Sequence, residues 1–468
     1  MFSDNSTFPR VISIRKFDIF FLRILIFISF IFSICFYVYL FNNASSGSVF
    51  LFSLVLVVLG FRIFKLWLEW YHYWSPSIPV PPLSKKIFTV DVFTTYCDGE
   101  PIEMVLKTLQ AIKKINYPHS TFLCDESNNS FLKDFCFKNQ IIYVTRTDKN
   151  DAKAGNINNA LKNSTSDLVL ILDPDHIPVP EFLDRLVPYF EDSEIGYVQC
   201  IQSYYNQNES IIARASAEQS FHFYGPMMMT MNSYGTVQAI GANCLFRRSA
   251  LDSIGGHAPG LAEDMHTAMR LQAKGWKSVY VPEVLSKGLT PSTVVAYFKQ
   301  QLKWSRGVFE LLFRVFPLLF SKFTLRQKFH YITSSVFFLS GLFQLLEFIV
   351  PIIALFFSIA SFKVDVSIFV YSYLILSLLS YLIRIKVQKW LPEESERGFH
   401  IWGGILLMGS WWVFLTGFIY SLFNINVPYI PTPKNDTKQN NWLIFMPNLF
   451  IIVISFFAIA FGLSRDYT

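Results

Sequence analysis

The sequence predicts an α/β domain with a Rossmann-type, mostly parallel sheet, inserted between α-helical transmembrane segments. Apolar residues crowd into 20–70 and again from 329 to the end, whereas 85–328 alternates strand-like and helix-like runs. Two of the strand-like runs finish in aspartate, at Asp125 and at Asp173-Pro174-Asp175. With 52% hydrophobic and 16% charged residues among 468, the chain is too apolar for an ordinary soluble protein and fits bilayer segments joined to a more polar domain. The formal charge of +6 sits near the apolar borders, where it orients a membrane protein. No base-reading motif is present, and no nucleic acid is expected as a partner. The six cysteines lack C-x-x-C spacing, so free thiols in a reducing compartment are expected over a disulfide or zinc framework.

Residues 1–80 are expected to hold two spans, 23–41 and 49–64, since about 20 apolar residues cross a bilayer. Asp18 ahead of the first, and the second following closely, argue against a cleaved signal peptide. Arg10, Arg15 and Lys16 precede the pair, and Arg62 and Lys65 close it. Both flanks, and the domain after them, are therefore expected on the cytoplasmic side. Within that domain, 81–290, a β-rich run at 87–95 precedes a helical pattern at 101–115. Short strands are expected at 120–124 and 141–145, a helix at 155–161 and a continuous apolar strand at 168–172. Strands alternating with helices pair in parallel, and such sheets bind ligands at the carboxyl ends of their strands. Asp125, Asp173 and Asp175 are site candidates on position alone.

Residues 291–327 read as amphipathic interface helices, 328–385 as a transmembrane pair, 386–441 as an interface helix and a loop, and 442–468 as the last span. The stretch 401–423 is apolar enough to cross. It is preceded by Arg384, Lys386, Lys389 and Arg397 and followed by Lys434 and Lys438. A single crossing would put one basic flank on the wrong side, so a helix in the interface or folded back is expected, with five true spans in all.

Four motifs carry chemistry. In "DPDH", two carboxylates at a strand end suit a hard divalent cation that keeps waters for a diphosphate; a solvated turn with a helix cap fits the same letters. After a glycine-rich loop, Glu263-Asp264 opens a helix. The acids there either offset the helix dipole or make Asp264 a general base for an attacking hydroxyl. In "YFKQQLKWSRG", Gln300, Lys303 and Trp304 share one helix face at i, i+3 and i+4. An indole beside amide and ammonium donors suits a sugar ring next to a phosphate, and equally a membrane-interface tryptophan with a snorkelling lysine. "VPYIPTPKNDTKQN" is a proline-braced polar loop.

The order of these motifs resembles the processive, inverting β-glycosyltransferases of the cellulose synthase superfamily, within glycosyltransferase family 2, along nearly the whole chain. The resemblance implies a GT-A-like domain. "DPDHIP" is similar to the family's D-x-D-H block, which places Asp173 and Asp175 at the metal and nucleotide-diphosphate positions. "AEDM" resembles T-E-D, with Asp264 as catalytic base. "QQLKW" resembles Q-x-x-R-W, with Gln300 and Lys303 on the diphosphate and Trp304 on the acceptor sugar. "TTYCDGEP" and "LCDES" resemble the nucleoside-binding blocks and give Tyr96 and Asp125 to the uracil. "DAKAGNINNAL" adds Lys153 to the donor site, and "IGANCLFRR" puts Gly241 and Asn243 at the acceptor end. "YIPTPK" is similar to the gating loop, with Thr432 and Lys434 closing over the nucleotide.

Three positions depart from the pattern: Ala262 for threonine, Cys124 for an acid before Asp125, and Lys303 for arginine. The last turns a bidentate fork into a point charge, and Arg306 is expected to supply the missing fork. The resemblance implies Mg2+ or Mn2+ as cofactor and a UDP-sugar as donor, with UDP-glucose and a cellulose-like β-glucan as the leading pair. It also implies a growing polysaccharide acceptor, contact with membrane lipid, an accessory export subunit, and a multi-pass location in the plasma (inner) membrane with the catalytic domain cytoplasmic. Two alternatives stay open: a non-processive family 2 enzyme acting on a lipid-linked acceptor, and a non-enzymatic membrane scaffold or transporter.

Overall fold

A computed structural model describes residues 8–11, 13–43, 45–83, 86–359, 361–425 and 442–465. The chain opens with two long apolar helices, α1 (Lys16–Asn43) and α2 (Val49–Tyr71). Ser48 caps α2 by accepting the Leu51 N–H. The second helix runs past the expected end of its span at residue 64, which moves Arg62 and Lys65 from a flank to the inside of the helix. That placement corrects the sequence reading: the two charges sit within a continuous helix, and α1 and α2 alone do not show which side of a membrane they face.

The central sheet follows the βα rhythm. Its strands are β1 (Val90–Tyr96), β2 (Ser120–Asp125), β3 (Ile142–Thr145), β4 (Leu168–Leu172), β5 (Ile195–Cys200), β6 (Cys244–Arg247) and β7 (Lys277–Val281). They lie in the order β7-β5-β6-β4-β1-β2-β3, and every pairing is parallel except the two made by β6. The apolar run of β4 is explained by burial on both faces. Leu168, Leu170 and Leu172 pack with Phe182 and Leu186 on one side. Val169 and Ile171 pack with Ile157, Ala160 and Leu161 on the other. Between the strands run α3 (Ile102–Ile112), α4 (Ser130–Lys138), α5 (Ala152–Leu161), α6 (Ile211–His222) and α7 (Glu263–Ala273). A small second sheet joins Ile177–Pro178, Ser286–Gly288 and Ser203–Tyr204 beyond the end of β4.

Next comes α8 (Val294–Glu310), capped by Thr293, and then the apolar helices α9 (Val336–Phe357) and α10 (Val366–Val387). The stretch expected to avoid a straight crossing breaks at Ser410 into α11 (Ile401–Gly409) and α12 (Trp411–Leu422), 48° apart. The last helix is α13 (Met446–Leu463). By length and composition five helices are able to cross a membrane, or six if the bent pair is one span. Close packing ties α8 to α12: a Cβ at Gly417 would lie 2.0 Å from Ser305 Oγ and 3.0 Å from the Arg306 nitrogen. The helix bearing Trp304 is thereby clamped between the sheet domain and the membrane helices.

Candidate active site

The chain turns sharply out of β4 into Asp173-Pro174-Asp175-His176. Asp173 keeps 32% of its side-chain surface, whereas Asp175 is buried. Lys153, near the start of α5, donates from Nζ to Asp173 Oδ1 (2.5 Å) and to the Gly241 carbonyl (2.6 Å). Gly241 adopts φ +75°, a conformation that only glycine holds without strain. Its missing side chain matters as well: a Cβ there would lie 3.2 Å from Asp264 Oδ2 and 3.7 Å from Lys153 Nζ. Asp173, Lys153, Gly241 and Asp264 therefore converge, although they come from four separate segments.

Electrostatics follow from that convergence. Burial opposes the charge on Lys153, and Asp173, Glu263 and Asp264 together outweigh it, so the ammonium is held above its ordinary pKa. Burial and then the adjacent Glu263 carboxylate push Asp264 up to about 7, against the Met265 N–H, Lys153 and Lys303. A carboxylate poised near neutrality takes and releases a proton under working conditions. Lys303 on α8 is close enough to act on Asp264. The approach of α8 is explained at Gly307, where a Cβ would lie 2.9 Å from Ala262 Cβ. The small Ala262, in place of threonine, accompanies that close contact. Trp304, one turn before Gly307, keeps 37% of its surface open to a ligand, and Gln300 on the same helix is half-buried. Arg306 is buried, and its Nε has no hydrogen-bond partner among the described residues.

Asp175 is held by a buried relay. Its Oδ2 accepts the Leu289 N–H (2.9 Å), and its Oδ1 lies 3.2 Å from His176 Nδ1. The Gln202 amide nitrogen stands 2.7 Å from His176 Nε2. An amide N–H only donates, so Nε2 accepts and the ring proton sits on Nδ1, facing Asp175. Gln202 Oε1 accepts from Asn243 Nδ2 (3.1 Å), and the Ser286 hydroxyl donates to Asn243 Oδ1 (2.5 Å). Asn243 is fully buried in this chain of bonds. The residue expected at the acceptor end is thus an interior amide, linked to the acid pair through Gln202 and His176. Gln202 and Ser286 carried no motif, and only their contacts reveal them.

The nucleoside-side residues divide in the same way. Asp125 is fully buried and accepts from Ser127 N (2.7 Å), Ser127 Oγ (2.7 Å), Asn129 N (2.8 Å) and Tyr143 Oη (2.6 Å). It shapes the turn after β2 from within. Tyr96 is also buried, with its hydroxyl 3.3 Å from the Glu100 carbonyl. Neighbouring Glu126 forms an ion pair with Arg146. Thr432 and Lys434 lie outside the described residues.

Asp173, Asp175 and His176 are the acidic and histidine group, among the described residues, with side-chain ligand atoms all within 4.8 Å of one another. Both His176 nitrogens are engaged with protein, which leaves the two carboxylates. Carboxylate oxygens are the donors a hard divalent cation selects, so the residues fit such an ion.

A mostly parallel sheet ending in an acid pair, with long apolar helices before and after it, is a GT-A-like fold set between helices able to cross a membrane. Two family models match, "Glycosyltransferase like family 2" over 92–307 and "Cellulose synthase" over 252–466. The two matches overlap in the middle of the chain, which is thus similar to family 2 glycosyltransferases in its sheet domain and to cellulose synthases from there onward. It is 29% identical over 312 residues to the cellulose synthase 1 catalytic subunit [UDP-forming] of Komagataeibacter xylinus, covering 64% of this chain and 42% of that one. With the cellulose synthase catalytic subunit [UDP-forming] of Xanthomonas axonopodis pv. citri it shares 30% over 302 residues, 62% of this chain and 40% of that one. The chain thus spans about two fifths of the length of these relatives. Among solved structures, a mannosyltransferase from Pyrobaculum calidifontis, in complex with GDP-Man and Mn2+, superposes with TM-score 0.53 at 15% identity. The superposition covers 80% of this chain and 99% of that one, and shows the shared fold.

Proposed function

We propose that the protein is a processive, inverting β-glycosyltransferase that extends a polysaccharide from a UDP-sugar, with UDP-glucose and a β-glucan as donor and product. The observation that carries the reading is the meeting of Asp264 and Lys153 across Gly241, with Asp173 on the same ammonium. A proton acceptor and a cation for a departing diphosphate are then one residue apart in space, as an in-line displacement requires. The acceptor hydroxyl oxygen attacks the anomeric carbon as its proton passes to Asp264. The bond from that carbon to the diphosphate breaks, and its electron pair leaves with UDP. Lys153 and Lys303 stabilise the charge that grows on the diphosphate, and Trp304 stacks on the acceptor ring. Mg2+ or Mn2+ held by Asp173 and Asp175 supplies further charge to the leaving group when bound. Asp125 and Tyr96 act by shaping the nucleoside pocket, and Thr432 and Lys434 by covering it.

The membrane helices carry the product away, the sheet domain faces the cytoplasm across the inner membrane, and an accessory subunit receives the polymer. Purified protein incubated with a panel of UDP-sugars is expected to release UDP from UDP-glucose and to form a long product digested by a β-glucan-specific hydrolase. A product one sugar longer than a lipid carrier would replace the processive reading with the non-processive one, and no UDP release from any donor would remove both.

A further inference from the structure

We propose that the exposed face of residues 318–332 is a docking surface for anionic lipid headgroups, set directly over the helices that carry Asp264 and Trp304. The surface goes beyond the reaction and rests only on the long apolar helices lying in a bilayer. Past Glu310 the chain continues from α8 through a π-helical turn, Leu311–Val315, and a short helix, Phe316–Leu319. A further helix, Leu325–Thr333, is closed at its start by a capping box between Thr324 and Gln327. It ends just short of α9. Its Phe329 ring meets that of Tyr71, the last residue of α2, with centroids 5.0 Å apart. The segment therefore lies level with the ends of two helices able to cross a membrane.

Its two sides differ in kind. Inward, Phe316, Phe323 and Tyr331 pack in sequence, with centroids 6.0 Å and 4.9 Å apart, and share one core with Met265 and Met269 of α7. Outward, Leu318 and Leu325 stand 79% and 82% exposed, and Lys322 and Arg326 are exposed beside them. The occupant follows from charge. Between Glu310 and Glu347 the chain holds Arg314, Lys322, Arg326 and Lys328 and not one acid. Arg314 is answered by Glu310 (3.9 Å) and Asn424 (2.6 Å). Lys328 and Arg326 lie over rings, 4.3 Å from the centroid of Phe320 and 4.7 Å from that of Tyr234. Among the described residues no carboxylate forms an ion pair with Lys322, Arg326 or Lys328. Apolar side chains interleaved with uncompensated cations at the end of a span enter the headgroup layer and set the cations on phosphates. Zwitterionic lipid covers the leucines and leaves the charge unanswered; a nucleic acid answers the charge and leaves the leucines in water. Anionic lipid meets both. Only the Phe316–Phe323–Tyr331 layer separates this face from Met265, the neighbour of Asp264, and α8 runs into the same layer from Trp304. Lipid held there steadies both helices in one frame.

The test uses the full chain in nanodiscs. Leu325→Cys carries a fluorophore, in a Cys35→Ser, Cys97→Ser background because the remaining cysteines are buried. Spin-labelled phosphatidylglycerol or spin-labelled phosphatidylcholine is added as quencher. Each basic side chain near a charged membrane surface is worth roughly fivefold, so phosphatidylglycerol is expected to be preferred at least fivefold in apparent affinity. The preference should vanish at about 1 M salt, where charges are screened within about 3 Å, and in the triple variant Lys322→Gln, Arg326→Gln, Lys328→Gln. Phe456→Cys, on the exposed face of α13, should show no preference. Equal quenching by the two lipids at Leu325→Cys, or a preference that the triple variant keeps, overturns the surface. UDP release by the unlabelled parent is expected to rise several-fold from phosphatidylcholine alone to an equal mixture with phosphatidylglycerol, and to stay level in the triple variant. Selective quenching with release indifferent to lipid overturns the link to the cleft and leaves an anchor. Absent release from every donor overturns the functional reading, while quenching still decides the surface.

Discussion

The pH dependence of the reaction offers a direct probe of Asp264, through its neighbour Glu263. Asp264 stands at about 7 because of burial and then the Glu263 carboxylate. The working form of a base is the deprotonated one, so activity is present above that value and is lost as pH falls through it. At pH 6 about a tenth of the molecules carry the active form, and kcat/KM falls about tenfold for each further unit, since that ratio reports the free enzyme. Replacing Glu263 by glutamine keeps the shape and removes the like charge. A close carboxylate raises its neighbour by about one unit, equivalent to about 1.4 kcal/mol. The acid limb should then move down by about one unit, and activity at pH 6 should rise from about a tenth to about half of the plateau. The assay is initial-rate UDP release between pH 5 and 9 at subsaturating donor, with Asp264→Asn as reference. That variant should lose about 10²–10⁴-fold in rate at every pH while binding UDP normally. A Glu263→Gln profile superimposed on the parent, or displaced upward, would refute the placement of the base.

Two further expectations concern the same cleft. Gly241→Ala places a methyl 3.2 Å from Asp264 Oδ2 at φ +75°. It should cost about 1–2 kcal/mol of stability from the backbone alone and depress UDP release at all pH values, read by thermal unfolding and initial rates; unchanged rates would separate Gly241 from the site. Gln202→Leu breaks the relay that fixes the His176 ring proton toward Asp175. It should weaken Mg2+-dependent donor binding by about 10–100-fold in titration calorimetry without altering metal-independent UDP binding, and an unchanged Mg2+ dependence would relieve Gln202 of that task.

Local pattern determined a great deal here. An uninterrupted apolar pentad at 168–172 was enough to expect a strand buried on both faces, because side chains alternate across a sheet and every position had to be apolar. The acids behind it therefore had to emerge at the carboxyl end, and the helix carrying Gln300, Lys303 and Trp304 was equally legible in its spacing. The basic segments either side of 401–423 argue against a straight crossing, and the structure bends the stretch by 48° at Ser410, a geometry shared by a broken span and a folded-back one.

Tertiary structure decided which of the motif residues meet and which are interior. Asn243 and Asp125 belong to motifs, yet both are sealed in hydrogen-bond networks. Burial depends on what folds over a residue, and a motif does not record that. Lys153 and Gly241 are 88 residues apart, and Arg62 and Glu347 are 285 apart. Arg62 reads in the sequence as the end of a span, and only the packing of α2 on α9 gives it Glu347 as a partner. Side-chain period and charge flanks are properties of neighbours along the chain. Convergence is a property of packing between distant segments, and it was packing that set Asp264 against Lys153.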